Sequence, residues 1–162
     1  GGKFQVSPIK INERNTNQLN QNLVLMYTGI KRTAHHIAKS YVKKLNRDKK
    51  NEIMQILKIT KDAEKALKNR NFDDFGRLLH QSWLIKKNLS GKISSSLIDE
   101  IYDRAIEKGA LGGKLLGAGG GGFFLLYVPY KKQKKFIEDF NKFVHIPFNF
   151  ENLGSKIIFN DQ

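Results

Sequence analysis

Hydrophobic residues change their spacing several times along this chain, and each spacing predicts a different element. Residues 5–11 alternate weakly around Pro8, which favours an edge strand. Residues 22–30 form a β-rich apolar run that ends near Gly29 and predict a central strand. From 33 to 45, and again from 48 to about 68, apolar residues recur every three or four positions, which predicts two amphipathic helices.

The middle of the chain carries start and stop signals for two more helices. Asn71 precedes two acidic residues and a stripe of apolar positions, a pattern typical of an N-cap and a dipole-compatible first turn. That helix is expected to end near Gly91. Residues 94–96 with Asp99 predict the start of the next helix, and Gly109 is its natural C-terminal glycine.

The last third returns to strands. Residues 114–116 and 123–128 are predicted strands on either side of a glycine-rich loop, and Pro129 stops the second. A helix over 132–143 and closing strands at 148–150 and 156–159 complete the pattern. With no internal repeat or linker, residues 1–162 are predicted to form a single α+β domain.

Composition narrows the class of protein. The chain has 162 residues, 40% hydrophobic, which is enough for one core, and it contains no apolar run of membrane-spanning length. Cysteine is absent, which excludes disulfides and thiol chemistry and is compatible with a cytoplasmic location. Because residues 1–4 have neither an initiator Met nor a signal-peptide pattern, we expect a piece of a longer protein.

The charge points to anionic partners without naming one. A net charge of +14 favours phosphorylated metabolites or nucleic acid, although only six of the 29 basic residues are Arg. A lysine-rich solvated surface explains the same charge. The four histidines show no metal-binding spacing, so we expect no metal site in this chain.

The glycine-rich loop over 112–122 is the most informative segment. Glycines let the backbone adopt positive φ, and consecutive N–H groups can form a cradle for an anion such as phosphate. A tight turn that only joins two strands is the plainer interpretation. The loop matches G-x-G-x-x-G, but a strand follows it instead of the helix of a dinucleotide-binding fold. The Walker A pattern fails as well, because neither Gly-Lys pair has its upstream glycine or its following Ser or Thr.

Residues 113–122 (GKLLGAGGGG) resemble the third motif of the GHMP kinases, the superfamily that includes galactokinase and mevalonate kinase. The segments at 27–32, 75–87 and 99–102, and the GALGGK segment at 109–114, resemble its branch that phosphorylates a heptose 7-phosphate at the anomeric C1 hydroxyl. The similarity runs from about Leu19 to the end. It implies a GHMP kinase C-terminal domain, with a four-stranded antiparallel, ferredoxin-like sheet covered by helices and an additional helical bundle portion.

The resemblance also implies the residues and partners of a site. It implies ATP with Mg²⁺, a phosphorylated sugar destined for surface polysaccharide, and a glycine loop near the nucleotide phosphates, formed by Gly117, Ala118, Gly119, Gly120, Gly121 and Gly122. Lys114 is expected to face the same cleft. The family's main ATP loop and its acidic catalytic residue belong to an N-terminal domain that this chain lacks. No catalytic residue is therefore assigned here, and the isolated chain is expected to be inactive.

Other assignments stay open on the sequence. Arg32, Lys86 or Lys87 could reach the phosphate of a phosphosugar, since an anionic substrate needs a neighbouring cation, but solvated lysines are the plainer interpretation. An RNA-binding α+β domain accounts for the charge but not for the glycines, and the apolar strand 123–128 lacks the basic residues of an RNA-recognition sheet. A structural domain that forms homodimers is the third alternative.

Overall fold

The computed structural model of the chain describes residues 7–31, 48–151 and 157. Within them the helices are α1 (Glu13–Gln21), α2 (Lys50–Lys68), α3 (Phe72–Lys87), α4 (Ser96–Glu107) and α5 (Tyr130–Asp139). The strands are β1 (Leu23–Tyr27), β2 (Gly112–Leu115), β3 (Phe123–Tyr127) and β4 (Val144–Ile146).

The strands form one antiparallel sheet in the order β2-β3-β1-β4. The two central strands, β3 and β1, pair from Leu23 opposite Tyr127 to Tyr27 opposite Phe123. β2 and β3 are consecutive, so the glycine-rich loop joins them as a hairpin connection at one edge of the sheet. This arrangement confirms the α+β class and the four-stranded antiparallel sheet.

Side chains on the two faces of the sheet enter two different core clusters, as the alternation of a β-strand requires. The larger core cluster receives side chains from β1, β2 and β3, and helices α4, α5 and part of α3 cover them. Its sheet members are Val24, Met26, Leu115, Phe124 and Leu126. The smaller core cluster, on the opposite face, contains Leu19, Leu23, Phe72 and Tyr127.

Helices α2 and α3 form a helical hairpin with a tight connection. Arg70 adopts φ 62°, and the Asn71 N–H donates to the carbonyl of Ala66, which closes α2 in a Schellman turn. Asn71 is the N-cap residue of α3, as expected, although its side chain makes no capping hydrogen bond. In α4 the Ser95 hydroxyl does accept the N–H of Ile98.

Several predicted elements agree with the structure. The helices expected over 48–68, after Asn71 and after residues 94–96 are α2, α3 and α4, and Gly109, at φ 103°, follows the end of α4. The predicted helix at 132–143 begins and ends earlier, as α5. Among the described residues, no helix is long and apolar enough to cross a membrane.

Other predictions are wrong. Residues 7–11 form no strand, and the chain continues into α1, a polar helix that the hydrophobic pattern did not reveal. Residues 148–150 are not a strand; the edge of the sheet is the short β4 instead. The predicted helix at 33–45 lies outside the described residues, as does the predicted strand at 156–159 apart from Ile157.

Candidate functional site

The glycine loop between β2 and β3 depends on backbone conformations that other residues rarely adopt. Positive φ angles occur at Gly117, Gly119, Gly120, Gly121 and Gly122. A Cβ on Gly119 would lie 2.8 Å from the carbonyl oxygen of Ile93, and one on Gly121 would lie 2.5 Å from that of Ile30. At these two positions glycine is therefore required both by φ and by the close approach of neighbouring backbone.

Two backbone hydrogen bonds hold the loop against neighbouring segments. The Gly120 N–H donates to the carbonyl of Ile93 at 2.7 Å, and the Gly122 N–H donates to that of Ile30 at 2.9 Å. Thr28 adds a third anchor, because both its N–H and its hydroxyl donate to the Gly122 carbonyl. Sequence reasoning missed these anchors, since all three acceptors are main-chain carbonyls that carry no residue signature.

Four other N–H groups of the loop are not used by these anchors. Within the part of the chain that the structure describes, no hydrogen-bond partner is found for the N–H groups of Gly117, Ala118, Gly119 and Gly121. Anchored loops whose N–H groups lack internal acceptors are suited to bind phosphate oxygens. The structure is thus compatible with the anion cradle that the glycine pattern predicts.

Lys86 reaches the loop from the C-terminal turn of α3. Its Nζ donates to the carbonyl oxygen of Gly117 at 2.6 Å and to that of Leu115 at 3.1 Å. Burial, with repulsion from Lys114 as a smaller cause, lowers the pKa of Lys86 to about 8. The ammonium therefore sits at the base of the loop, bound to main-chain oxygens.

Lys114 is the second cation at this place. It lies on β2 next to Leu115, and burial lowers the pKa of its ammonium below the usual value. No ion pair of Lys114 is found among the described residues. A partly buried cation without a counter-charge, next to another cation, provides a site that favours an anion.

Lys87 and Arg32, the other two candidate cations, are not brought to the loop. Lys87 Nζ lies 3.1 Å from the Asp99 carboxylate, which also accepts the hydroxyl of Ser94 at 2.9 Å. This ion pair ties the end of α3 to the first turn of α4. Arg32 lies outside the described residues.

Aromatic side chains from α3, α4 and β3 pack together next to β2, and one of them donates a hydrogen bond to it. The Tyr102 hydroxyl is 2.8 Å from His80 Nδ1 and donates to the Gly113 carbonyl at 3.3 Å. Trp83 is fully buried and packs edge-on against Phe124, with ring centroids 5.9 Å apart. Trp83 therefore belongs to the core, and Tyr102 links that core to the strand that leads into the loop.

Metal binding finds no support in this part of the molecule. Among the described residues, no group of three His, Asp or Glu side chains could hold a metal ion. The two charged side chains identified at the loop among the described residues, Lys86 and its neighbour Lys114, are cations. These residues fit phosphate oxygens and do not fit Mg²⁺.

A comparison with known families decides the identity of the domain. The family described as "GHMP kinases C terminal" matches residues 63–145, which contain α3, α4, the glycine loop and both strands that flank it. The chain belongs to the GHMP kinases.

Individual GHMP kinases resemble the chain over most of its length. A D-glycero-alpha-D-manno-heptose 7-phosphate kinase from Campylobacter jejuni is 34% identical over 140 residues, which are 85% of this chain and 41% of that protein. The crystal structure of the Methanococcus jannaschii mevalonate kinase superposes with a TM-score of 0.66 at 28% identity, covering 85% of this chain and 42% of that one.

A putative sugar kinase from Campylobacter jejuni gives a TM-score of 0.59 at 28% identity, covering 91% of this chain and 42% of that chain. The chain thus spans less than half the length of the GHMP kinases it resembles.

Proposed function

We propose that this chain is the C-terminal half of an ATP-dependent sugar kinase that phosphorylates the C1 hydroxyl of a heptose 7-phosphate, a precursor of surface polysaccharide. The heptose substrate is supported by the Campylobacter heptose 7-phosphate kinase, which is similar to 85% of the chain. The matched region includes the glycine loop and Lys114. In this proposal, residues 1–162 form one domain, and the rest of the cleft comes from an N-terminal domain.

The proposal is carried by the loop and by Lys114: among the described residues, several N–H groups of the loop have no hydrogen-bond partner and Lys114 has no ion pair. Phosphoryl transfer spreads negative charge over several oxygens, and enzymes accelerate it chiefly by positioning and charge stabilisation. In the proposed complex the N–H groups of Ala118, Gly119 and Gly121 donate to phosphate oxygens. Lys114 supplies a positive charge to the transferred phosphate or to the phosphate of the sugar.

The proposed division of roles between the C-terminal and N-terminal domains follows from the absence of a carboxylate cluster for Mg²⁺ among the described residues. ATP supplies the transferred phosphoryl group, and Mg²⁺, if held by carboxylates, is held outside the residues described here. One wall of the cleft can bind phosphate but cannot align the acceptor hydroxyl with it. We therefore expect the isolated chain to bind nucleotide weakly and to catalyse no transfer.

The test compares the purified 162-residue chain with the complete gene product that contains it. Both are incubated with MgATP and D-glycero-D-manno-heptose 7-phosphate, ADP release is followed, and ³¹P NMR locates the new phosphate. We expect ADP release and a C1 phosphate only with the complete gene product. Lys114→Met should lower its kcat/KM by about 100-fold, since a charge-assisted contact of about 2–3 kcal/mol is lost.

Lys131→Met, a change of the same chemistry on the exposed surface of α5, is the matched control and should leave kcat/KM within about twofold. The substrate assignment is wrong if the complete gene product phosphorylates other sugars but not the heptose phosphate. Turnover by the isolated chain would refute its expected inactivity.

A further inference from the structure

The contact between Lys86 and the Gly117 carbonyl determines where a different atom of the loop points. Gly117 C=O and Ala118 N–H belong to one peptide unit, and no cis peptide occurs among the described residues. In a planar trans peptide the C=O and N–H bonds point in opposite directions. Because the oxygen is drawn onto Lys86 Nζ at 2.6 Å, the Ala118 N–H must point away from the lysine.

The Leu115–Leu116 peptide unit, two units earlier in the chain, obeys the same rule and shows that it operates here. The Leu115 carbonyl accepts Lys86 Nζ at 3.1 Å, while the N–H on the other side of that peptide, from Leu116, donates to Phe123 across the hairpin at 2.8 Å. One ammonium thus fixes two peptide planes that are separated by a single peptide unit, 116–117. The first plane keeps the hairpin closed, and the second presents an N–H that has no acceptor among the described residues.

Other peptide units of the loop are fixed by different means. The Gly120 and Gly122 N–H groups are bound to the carbonyls of Ile93 and Ile30. The 117–118 unit has no such backbone anchor among the described residues, and Gly117 is exposed, with nothing within 4 Å of where a Cβ would lie. Among the described residues, Lys86 is therefore the group that restrains the Gly117–Ala118 peptide unit.

We infer that Lys86 is a positioning residue: its ammonium orients the Gly117–Ala118 peptide so that the Ala118 N–H faces the phosphate side of the loop. In this role Lys86 contacts main-chain oxygens and leaves direct contact with the anion to Lys114 and the N–H groups. The inference rests on the proposed function only in taking phosphate as the anion that the loop binds. The orientation of the peptide itself is a property of the chain alone.

The charges around Lys86 agree with this role. Lys114 on β2 is the charged neighbour that repels it, and the Asp99 carboxylate of α4 is occupied by Lys87 and Ser94. With no carboxylate partner found for Lys86 among the described residues, its charge is stabilised by the two carbonyls. Deprotonation weakens the ammonium as a donor to both oxygens, so the loop conformation becomes sensitive to pH in the alkaline range.

The experiment measures the two carbonyls directly. Carbon-detected NMR of the 162-residue chain gives the ¹³C′ shifts of Leu115 and Gly117, which respond to the hydrogen bonds that these oxygens accept, between pH 6 and 10. In the wild-type chain both shifts should move together, with a midpoint near the Lys86 pKa of about 8. In Lys86→Met both should differ from wild type at pH 7, and the step should vanish.

Two further variants separate orientation from general stability. Lys86→Arg keeps a donor that stays charged throughout this range, so both carbonyl shifts should stay near the low-pH wild-type values at every pH. Lys87→Met, one position along the helix, removes an equal charge and the Asp99 ion pair, and should leave the step intact. If Lys86→Met does not fold, the flat titration of Lys86→Arg tests the same contact.

The inference fails if Lys86→Met folds and leaves the Leu115 and Gly117 shifts at wild-type values, or if Lys86→Arg shows the wild-type step. Neither readout involves a nucleotide or a sugar. A negative kinase assay would therefore leave this inference standing, and a negative NMR result would leave the proposed function standing.

Discussion

Lys86, Tyr102 and Tyr127 are ionisable side chains that the fold buries, and burial acts on them in opposite directions. It lowers the pKa of Lys86 from 10.5 to about 8 and raises the pKa values of both tyrosines above their usual range. The Tyr127 hydroxyl also donates to the Asp73 carboxylate at 2.9 Å, which opposes its ionisation further. In each case the folded protein favours the neutral form.

These shifts predict a maximum in stability at alkaline pH. Below pH 8 the folded chain carries a partly buried Lys86 charge that the unfolded chain holds in water at no cost. Between about 8 and 10.5 the folded state releases that proton first, so the free energy of unfolding rises with pH. Above pH 10 the tyrosines of the unfolded chain ionise while those of the folded chain resist, and stability falls.

Urea unfolding between pH 7 and 9.5 measures the rising part. We expect the free energy of unfolding to rise by about 1 kcal/mol, reduced from the full linkage value because Lys86 is partly exposed. Lys86→Met should remove at least half of the rise, the remainder belonging to Lys114. Lys87→Met should retain all of it. A flat wild-type profile, or an equal rise in Lys86→Met, would contradict the burial of the Lys86 charge.

At the scale of elements, α3 and β2 approach each other closely because each contributes a glycine to the contact, Gly76 and Gly112. A Cβ on Gly112 would overlap the carbonyl oxygen of Gly76 and lie 2.7 Å from the backbone nitrogen of His80. A Cβ on Gly76 would in turn lie 2.6 Å from the ring of Tyr127. This packing brings the C-terminal turn of α3, and with it Lys86, to the beginning of the glycine loop.

Gly112→Ala is therefore expected to destabilise the chain by about 3 kcal/mol, because backbone atoms on both elements must move to admit one methyl group. Its control is Gly91→Ala, where nothing lies within 4 Å of the new Cβ and φ is not in the left-handed range. That change should stay within about 0.5 kcal/mol of wild type. Equal unfolding midpoints for the two variants in urea would show that α3 and β2 can separate freely.

The sequence predicts these elements only where packing follows a simple period. The helices with apolar residues every three or four positions were found, because that spacing reflects a buried face. α1 was missed because it buries little except Leu19 and Asn15, so its pattern is polar. Residues 148–150 were mistaken for a strand because an aromatic alternation resembles one, although Phe148 instead packs against the smaller core cluster.

The candidate site also has features that the sequence could predict and features that it could not. The position of the glycine loop could be predicted, because several close positive-φ residues require glycine locally. The different partners of Lys86 and Lys87 could not, because adjacent helical side chains point about 100° apart and only the fold determines what each meets. Nor could the Ile30 and Ile93 anchors, since any residue supplies a main-chain carbonyl.

At the scale of the whole molecule, the sheet has buried side chains on both faces. Val24, Met26 and Phe124 enter the larger core cluster, while Leu23 and Tyr127 enter the smaller one. Proteins that read RNA on a sheet need an open face on which bases stack against aromatic side chains. The net charge of +14 can attract RNA through its phosphates. Because both faces of this sheet carry buried side chains, however, the sheet does not provide a surface on which bases could be read.

The corresponding prediction is weak binding without sequence preference. Fluorescence anisotropy with 12-nucleotide RNAs, one poly(U) and one of mixed sequence, should give dissociation constants of about 10 μM or weaker near physiological salt. The two RNAs should differ by less than about threefold. Affinity should fall by at least tenfold between about 50 and 200 mM salt, because phosphate contacts release counterions.

Paired charge changes on two surfaces distinguish diffuse attraction from a binding site. The double change Lys131→Gln and Lys134→Gln lies on α5, and Lys58→Gln with Lys61→Gln lies on α2; all four side chains are exposed. If the whole positive field attracts RNA, both pairs should weaken binding equally, within about twofold. A loss confined to the α5 pair, or binding that resists salt, would instead place a nucleic-acid site on α5.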